Sequence, residues 1–290
     1  MEIRWLDASR FDRDLPLPER WILSRLAQVT AAVDEGFERY DFAEGVQKLQ
    51  AFVWSEFCDW YLELAKRPLA AGGEERDRAQ RVLAAVLSGI LRLLHPAIPF
   101  VTEELWHRLG GDGLLATASW PVADRTRIDE QADASMASVI EVVSAIRRFR
   151  SEHKVAPSKR LTAFIVPADD TQRQALVDLS VELSTLAGLE ALELVEARQP
   201  QPGEQRLVAA GATIALPLAG VIDVASARAD LDRQLERHRK ELEKIDAKLA
   251  DPGFLAKAPA KVVEEMRRRQ AAEGEAIATL GAQRDQLDGN

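Results

Sequence analysis

Apolar residues recur every three or four positions through the first half of the chain, the period of helices that bury one face. Ile22, Leu26, Val29, Val33 and Phe37 share a face of a first helix that starts near Pro18. Asp41, with Glu44 three residues on, predicts a capped start to a second helix. Its inner face carries Val46, Leu49, Val53, Phe57, Trp60 and Leu64. Gly72 and Gly73 interrupt the pattern, and Ala79, Val82, Val86, Ile90 and Leu94 then predict a third helix ending at His95 and Pro96. Residues 99–109 read as a short helix stopped by Gly110 and Gly111. Residues 129–152 read as a long one, with Ile140, Val143, Ile146 and Phe149 facing inward. The expectation for this half is an all-α antiparallel bundle.

From Leu161 the period changes. Residues 161–166 and 189–195 predict strands, with a helical stretch over about 171–187 between them. Residues 206–218, turn-broken at Gly211, suggest another strand or a hairpin. A small α/β layer follows from these elements, with the loop Gln199-Pro200-Gln201-Pro202-Gly203 at its edge.

The last seventy residues change period again. Leu231, Leu235, His238, Leu242, Ile245 and Leu249 step by four and three, which places them on one seam of a helix as a coiled coil requires. Asp251-Pro252-Gly253 breaks that helix, and the turn is expected to run through Phe254 and Leu255 to Ala258. Pro259 suits the first turn of a second arm. There a seam runs through Val263, Met266, Ile277, Leu280 and Leu287, with polar Gln270, Glu273 and Arg284 between. Arms of similar length predict an antiparallel hairpin whose first arm, at 1.5 Å per residue, reaches roughly 40 Å. The fold class is therefore mainly α: a helical bundle over 17–157 behind a leader at 1–16, a small α/β connector over 158–220, and a long antiparallel coiled-coil hairpin over 221–290.

Composition narrows the function. A chain of 290 residues, 47% hydrophobic and 29% charged, suits two or three ordinary folded domains. Its formal charge of −9 argues against a general nucleic-acid coat but leaves room for a local basic patch. No apolar run approaches the ~20 residues that cross a bilayer, and no signal-peptide pattern opens the chain. The single cysteine, Cys58, excludes an internal disulfide and a multi-cysteine zinc site. A cytoplasmic protein is expected. No Gly-rich phosphate loop, Gly-x-Ser-x-Gly elbow or His-Glu-x-x-His pair occurs. His95 and His107 read as capping or packing residues, His238 as a polar seam residue that sets register, and Cys58 as an inert thiol. The chain itself thus offers no catalytic residue, metal site or cofactor site.

Two groups of cations remain. Arg147, Arg150 and Lys154 step by three and four along the end of the last bundle helix, with Arg148 beside them. Lys159 and Arg160 follow the turn at residues 155–158, giving six cations within fourteen residues. Such a patch attracts a polyanion, and it serves a solvated helix face equally well. On the hairpin, Arg233, Arg237, Lys240, Lys244 and Lys248 form a stripe beside the seam, spaced to follow a phosphate backbone. Charges flanking a coiled-coil seam are also ordinary solubility devices, and the spacing alone favours that plainer reading.

Longer stretches carry a resemblance. Trp54-Ser55-Glu56-Phe57-Cys58-Asp59-Trp60-Tyr61-Leu62-Glu63 resembles the second-helix signature of the anticodon-binding bundle shared by the valine, isoleucine and leucine tRNA synthetases. Leu94-His95-Pro96 through Pro99-Phe100, Thr102-Glu103-Glu104-Leu105-Trp106 and Ser119-Trp120-Pro121 are similar to further segments of that bundle. Two stretches point to the valyl family. Residues 147–159, RRFRSEHKVAPSK, resemble its Arg-rich post-bundle helix, and residues 249–263, LADPGFLAKAPAKVV, its coiled-coil tip. Lys261 stands where family members often have an acidic residue.

The resemblance implies a tRNA-binding role, with the bundle holding the anticodon stem-loop and the hairpin lying against the outer corner of the L-shaped tRNA. It implies phosphate contacts at Arg147, Arg148, Arg150, Lys154, Lys159, Arg233, Arg237, Lys240, Lys244 and Lys248. The family's His-x-Gly-His element and Lys-Met-Ser-Lys-Ser loop do not occur here, so ATP and Mg are expected only of a full-length enzyme, and this chain should be inactive alone. The expected partners are tRNA(Val) and a synthetase catalytic domain in trans, and the expected state is a monomer. A free-standing tRNA-binding protein acting in trans stays open. So does a coiled-coil adaptor, in which Gln270 and Glu273 would mark an exchangeable partner.

Overall fold

The structure, a computed structural model, describes residues 14–218, 224–251, 253 and 259–288. Residues 1–13 of the leader and the hairpin tip at 254–258 lie outside these. Contacts divide the chain into two units. One comprises the bundle to Ser144 together with residues 167–187, and the other holds residues 145–166 and everything from Gly188. The division differs from the boundaries read off the sequence, because the helices between the first two strands group with the bundle.

In the first unit, α1 (Leu17–Glu38), α2 (Phe42–Ala51), α3 (Leu62–Ala71), α4 (Gly73–Leu94) and α5 (Pro99–Arg108) follow the sequence periodicity. Asp41 caps α2 as expected, its carboxylate accepting from the Glu44 backbone N–H at 3.3 Å. Between α2 and α3 the chain does not stay α-helical: residues Phe52–Tyr61 form a π-helix. Widening the turn moves the buried stripe from a spacing of four to one of five. Phe52 and Tyr61, absent from the inner face read off the sequence, are each 1% exposed, whereas Val53 is only half-buried. The signature around Glu56 is a packing seam: Phe57, Trp60 and Tyr61 fill the core. Glu56 pairs bidentately with Arg25 of α1 at 2.7 and 2.9 Å, a bond that raises the guanidinium pKa.

The long helix α6 (Glu130–Glu152) buries Met136, Val139, Val143, Ile146 and Phe149. Inside the first unit, α7 (Asp170–Asp178) and α8 (Ser180–Ala187) are tied to the bundle by side chains. Gln172 donates to the Ser138 hydroxyl at 2.6 Å, and Arg67 pairs with buried Glu182.

Near the end of α5, Trp106 packs with Leu91 and Leu115. The backbone passes so close there that a Cβ at Gly111 would lie 2.3 Å from the indole. Gly111→Ala should therefore cost about 1–3 kcal/mol, as forced overpacking does, read as a lower urea midpoint.

The second unit holds a four-stranded sheet of order β2-β1-β4-β3, built from β1 (Leu161–Val166), β2 (Leu189–Leu194), β3 (Glu204–Ala209) and β4 (Ala212–Pro217). β1 and β2 run parallel, which requires the helical crossover between them, while β1–β4 and β3–β4 are antiparallel. Residues read as one strand or a hairpin are a hairpin, turned on Ala210 and Gly211, both at positive φ. That is the conformation of a two-residue type I′ turn.

The same unit contains α9 (Val224–Ala250) and α10 (Ala260–Asp288), which pack along each other. Leu235 and Ile245 are buried in their seam. Cross-helix partners run in opposite directions: Asp232 meets Arg284 at 4.0 Å, His238 meets Glu273 at 2.6 Å and Asp246 meets Gln270 at 2.6 Å. The hairpin is antiparallel, as expected. Its polar seam residues, read as possible marks of an exchangeable partner, find partners within the hairpin.

Candidate nucleic-acid interface

The two cation groups differ in what holds them. At the end of α6 the backbone closes a Schellman motif. Val155 N–H donates to the Arg150 carbonyl at 2.8 Å and Lys154 N–H to the Ser151 carbonyl at 3.2 Å. Lys154 sits at the left-handed position, φ 49°, where glycine is usual. It lies outside the helix, so it does not continue the face of Arg147 and Arg150 as the three–four spacing implied. Arg150 is tied inward, its guanidinium donating to the carbonyls of Gly188 and Ala156 at 3.2 and 3.0 Å. Arg147, Arg148, Lys154 and Lys159 are exposed. Arg160, in the patch but not among the expected contacts, donates to the Leu189 carbonyl at 3.4 Å. His153 packs its ring on Phe149, and burial lowers its pKa, so it adds no charge at neutral pH.

Replacing Lys154 separates its two roles. Lys154→Gly should stabilise the protein by about 0.5–1 kcal/mol by relieving the left-handed strain, visible as a higher thermal midpoint. Lys154→Gln should remove the same charge without that gain.

On α9, Arg233, Arg237, Lys240, Lys244 and Lys248 are all exposed. Lys240 and Lys244 have carboxylates of their own helix nearby, Glu236 at 3.2 Å and Glu241 at 3.3 Å. These exposed pairs are worth well under ~1 kcal/mol and exchange readily for a phosphate. One set of cations was missed. Arg267 and Arg268 on α10 are exposed, next to Arg269, which approaches Glu241 at 3.9 Å. The α10 cations therefore lie level with the middle of the α9 stripe. The run of three arginines signals them in the sequence, but a search for regular spacing passes over it.

His95, read as a capping or packing residue, is partly buried, whereas His107, read the same way, is exposed in an ion pair on its own helix. His95 Nδ1 lies 2.9 Å from the Thr102 hydroxyl, and His107 pairs with Glu103 at 3.1 Å. Glu103 itself accepts from the backbone N–H groups of Leu115 and Ala116, which hold its carboxyl below the usual range. Burial raises the Cys58 thiol, keeping it protonated. Among the described residues no group of three or more His, Cys, Asp or Glu could hold a metal ion, and no helix is long and apolar enough to cross a membrane.

Residues 19–165, the bundle and the start of the sheet, match the family described as the anticodon-binding domain of tRNA ligase. The chain belongs to that family. Residues 223–288, the hairpin, match the valyl tRNA synthetase tRNA binding arm. Similar curated proteins are valine–tRNA ligases. That of Nocardia farcinica is 37% identical over 271 residues, covering 93% of this chain and 30% of that protein. That of Carboxydothermus hydrogenoformans is 40% identical over 260 residues, 89% and 30%. That of Geobacillus stearothermophilus is 37% identical over 255 residues, 87% and 29%. The chain thus spans about 30% of the length of these relatives, and the portion it spans pairs an anticodon-binding domain with a valyl-type arm.

Proposed function

We propose that this chain is the tRNA-holding portion of a valine–tRNA ligase, working in the cytoplasm as a monomer and positioning tRNA(Val) for valylation. The bundle takes the anticodon stem-loop, and the hairpin lies along the outer corner of the tRNA. ATP and Mg belong to the full-length enzyme, whose catalytic signatures this sequence does not contain. The observation that carries the reading is the hairpin itself. Its seam residues His238, Gln270 and Glu273 bond within the hairpin, and a regularly spaced row of exposed cations faces outward. A surface of that kind recognises a phosphate backbone rather than another apolar helix. It also weighs against the adaptor reading, which needs seam groups left for a partner.

The test is binding of this chain to tRNA(Val) and to a non-cognate tRNA across a salt series. Tighter cognate binding with a steep salt slope supports the reading. Weak binding of both with a shallow slope overturns it. The five exposed cations of α9, at roughly 0.9 per phosphate contact, set an expected slope of about 4.5 from the arm alone.

A further inference from the structure

We infer that the cavity between α1, α4 and the segment 119–127 is a binding site for a small organic anion: one anionic group carried on an apolar body. The cavity has a volume of about 550 Å³, within the range of ligand pockets. It exists because the facing helices present small residues there, Ala27 and Thr30 from α1 and Ala85, Ser88 and Gly89 from α4. Gly89 allows the close approach, since a Cβ on it would come to 3.1 Å from the Leu26 side chain. Leu23, Leu26 and Trp120 add apolar wall.

The polar groups of the lining point to the ligand's charge. Three charged side chains line the cavity: Arg92, Asp124 and Arg127. Asp124 and Arg127 offset each other at 3.6 Å. That leaves Arg92 as the net charge. Its recorded contact is the Trp106 ring, 5.6 Å away, and its Nε is buried with no hydrogen-bond partner among the described residues. That Nε is closed off even from water, so an occupant would accept from the terminal N–H groups of the guanidinium, a charged donor with no carboxylate partner among the described residues. Ser88 adds a second group. It is 3% exposed and lines the cavity. A guanidinium and a hydroxyl over an aliphatic floor bind a carboxylate or phosphate ester whose body is apolar. The cavity lies apart in sequence from both cation groups, and the inference does not depend on the tRNA-binding reading.

Calorimetric titration of the full 290-residue chain with benzoate, phenyl phosphate, benzamide and inorganic phosphate tests it. Benzoate or phenyl phosphate should bind, with benzamide and inorganic phosphate at least roughly tenfold weaker, because each lacks one half of the recognition. Preference between benzoate and phenyl phosphate assigns the anionic group as carboxylate or phosphate ester, and either preference supports the site. Arg92→Met should weaken binding roughly tenfold or more, and Ser88→Ala a few-fold. Circular dichroism and the thermal midpoint check that each variant folds, and Ser88→Ala leaves the packing in place should Arg92→Met not fold. Absence of binding by both aromatic anions, or unchanged binding in a folded Arg92→Met together with Ser88→Ala, overturns the site. Equal binding of inorganic phosphate and phenyl phosphate overturns the apolar half. Stoichiometric displacement of the bound probe by tRNA assigns the cavity to RNA instead and overturns the small-molecule reading.

Discussion

Replacing Arg237, Lys240, Lys244 and Lys248 together by glutamine should weaken tRNA binding by roughly 10³- to 10⁴-fold at 0.1 M salt. The estimate follows from counterion release: about 0.9 in the log–log salt slope per phosphate contact means just under tenfold per contact at that concentration. Glutamine keeps nearly the helix propensity of lysine and arginine. The lost partners, Glu236 and Glu241, were in exposed pairs of small worth. The hairpin should therefore remain folded, its seam resting on Leu235, Ile245 and the His238–Glu273 bond. The same fourfold change should flatten the salt slope by roughly three to four and affect cognate and non-cognate tRNA alike, because phosphate contacts carry no sequence information. Binding curves with an unchanged slope would remove the stripe from the interface. Arg150→Gln makes the contrasting case. Its guanidinium already holds two backbone carbonyls, so its loss should lower stability more than it lowers the slope.

That contrast shows where spacing informs and where it misleads. Helical and heptad periods report which residues face inward, and they located the bundle helices, the strands at 161 and 189 and both arms of the hairpin. They say nothing of what a surface cation is already bonded to. Arg147 and Arg150 stand three apart and look equivalent, yet Arg150 closes the joint between α6 and the start of β2. Lys154 continues the pattern in sequence but not in space, because the helix ends two residues earlier without the glycine that usually marks a Schellman turn. The end of α5 has that glycine, at Gly110, and was legible for that reason. Charge pairing across the hairpin was equally invisible. Gln270 and Glu273 looked like gaps in a seam until Asp246 and His238 stood opposite them.

The π-helix at Phe52–Tyr61 is the sharpest departure from the expected period, and it makes the second large prediction. On an α-helical reading Val53 belongs to the core and Phe52 to its edge; the structure reverses them. Phe52→Ala should then cost about 3–5 kcal/mol, the usual loss for emptying a buried phenyl site. Val53→Ala, which removes less volume from a half-buried position, should cost about 1 kcal/mol or less. Paired urea denaturations of the two variants measure the difference directly. A larger loss for Val53 than for Phe52 would mean that the segment is α-helical. The wide turn is not an isolated irregularity, because it also sets where Glu56 stands. The bidentate Arg25–Glu56 pair joins α1 to the π segment, and an α-helical segment would rotate that carboxylate along with the core stripe. The conserving substitution Glu56→Gln should therefore destabilise less than Phe52→Ala, since the packed ring, not the partly exposed ion pair, holds the larger share of the energy.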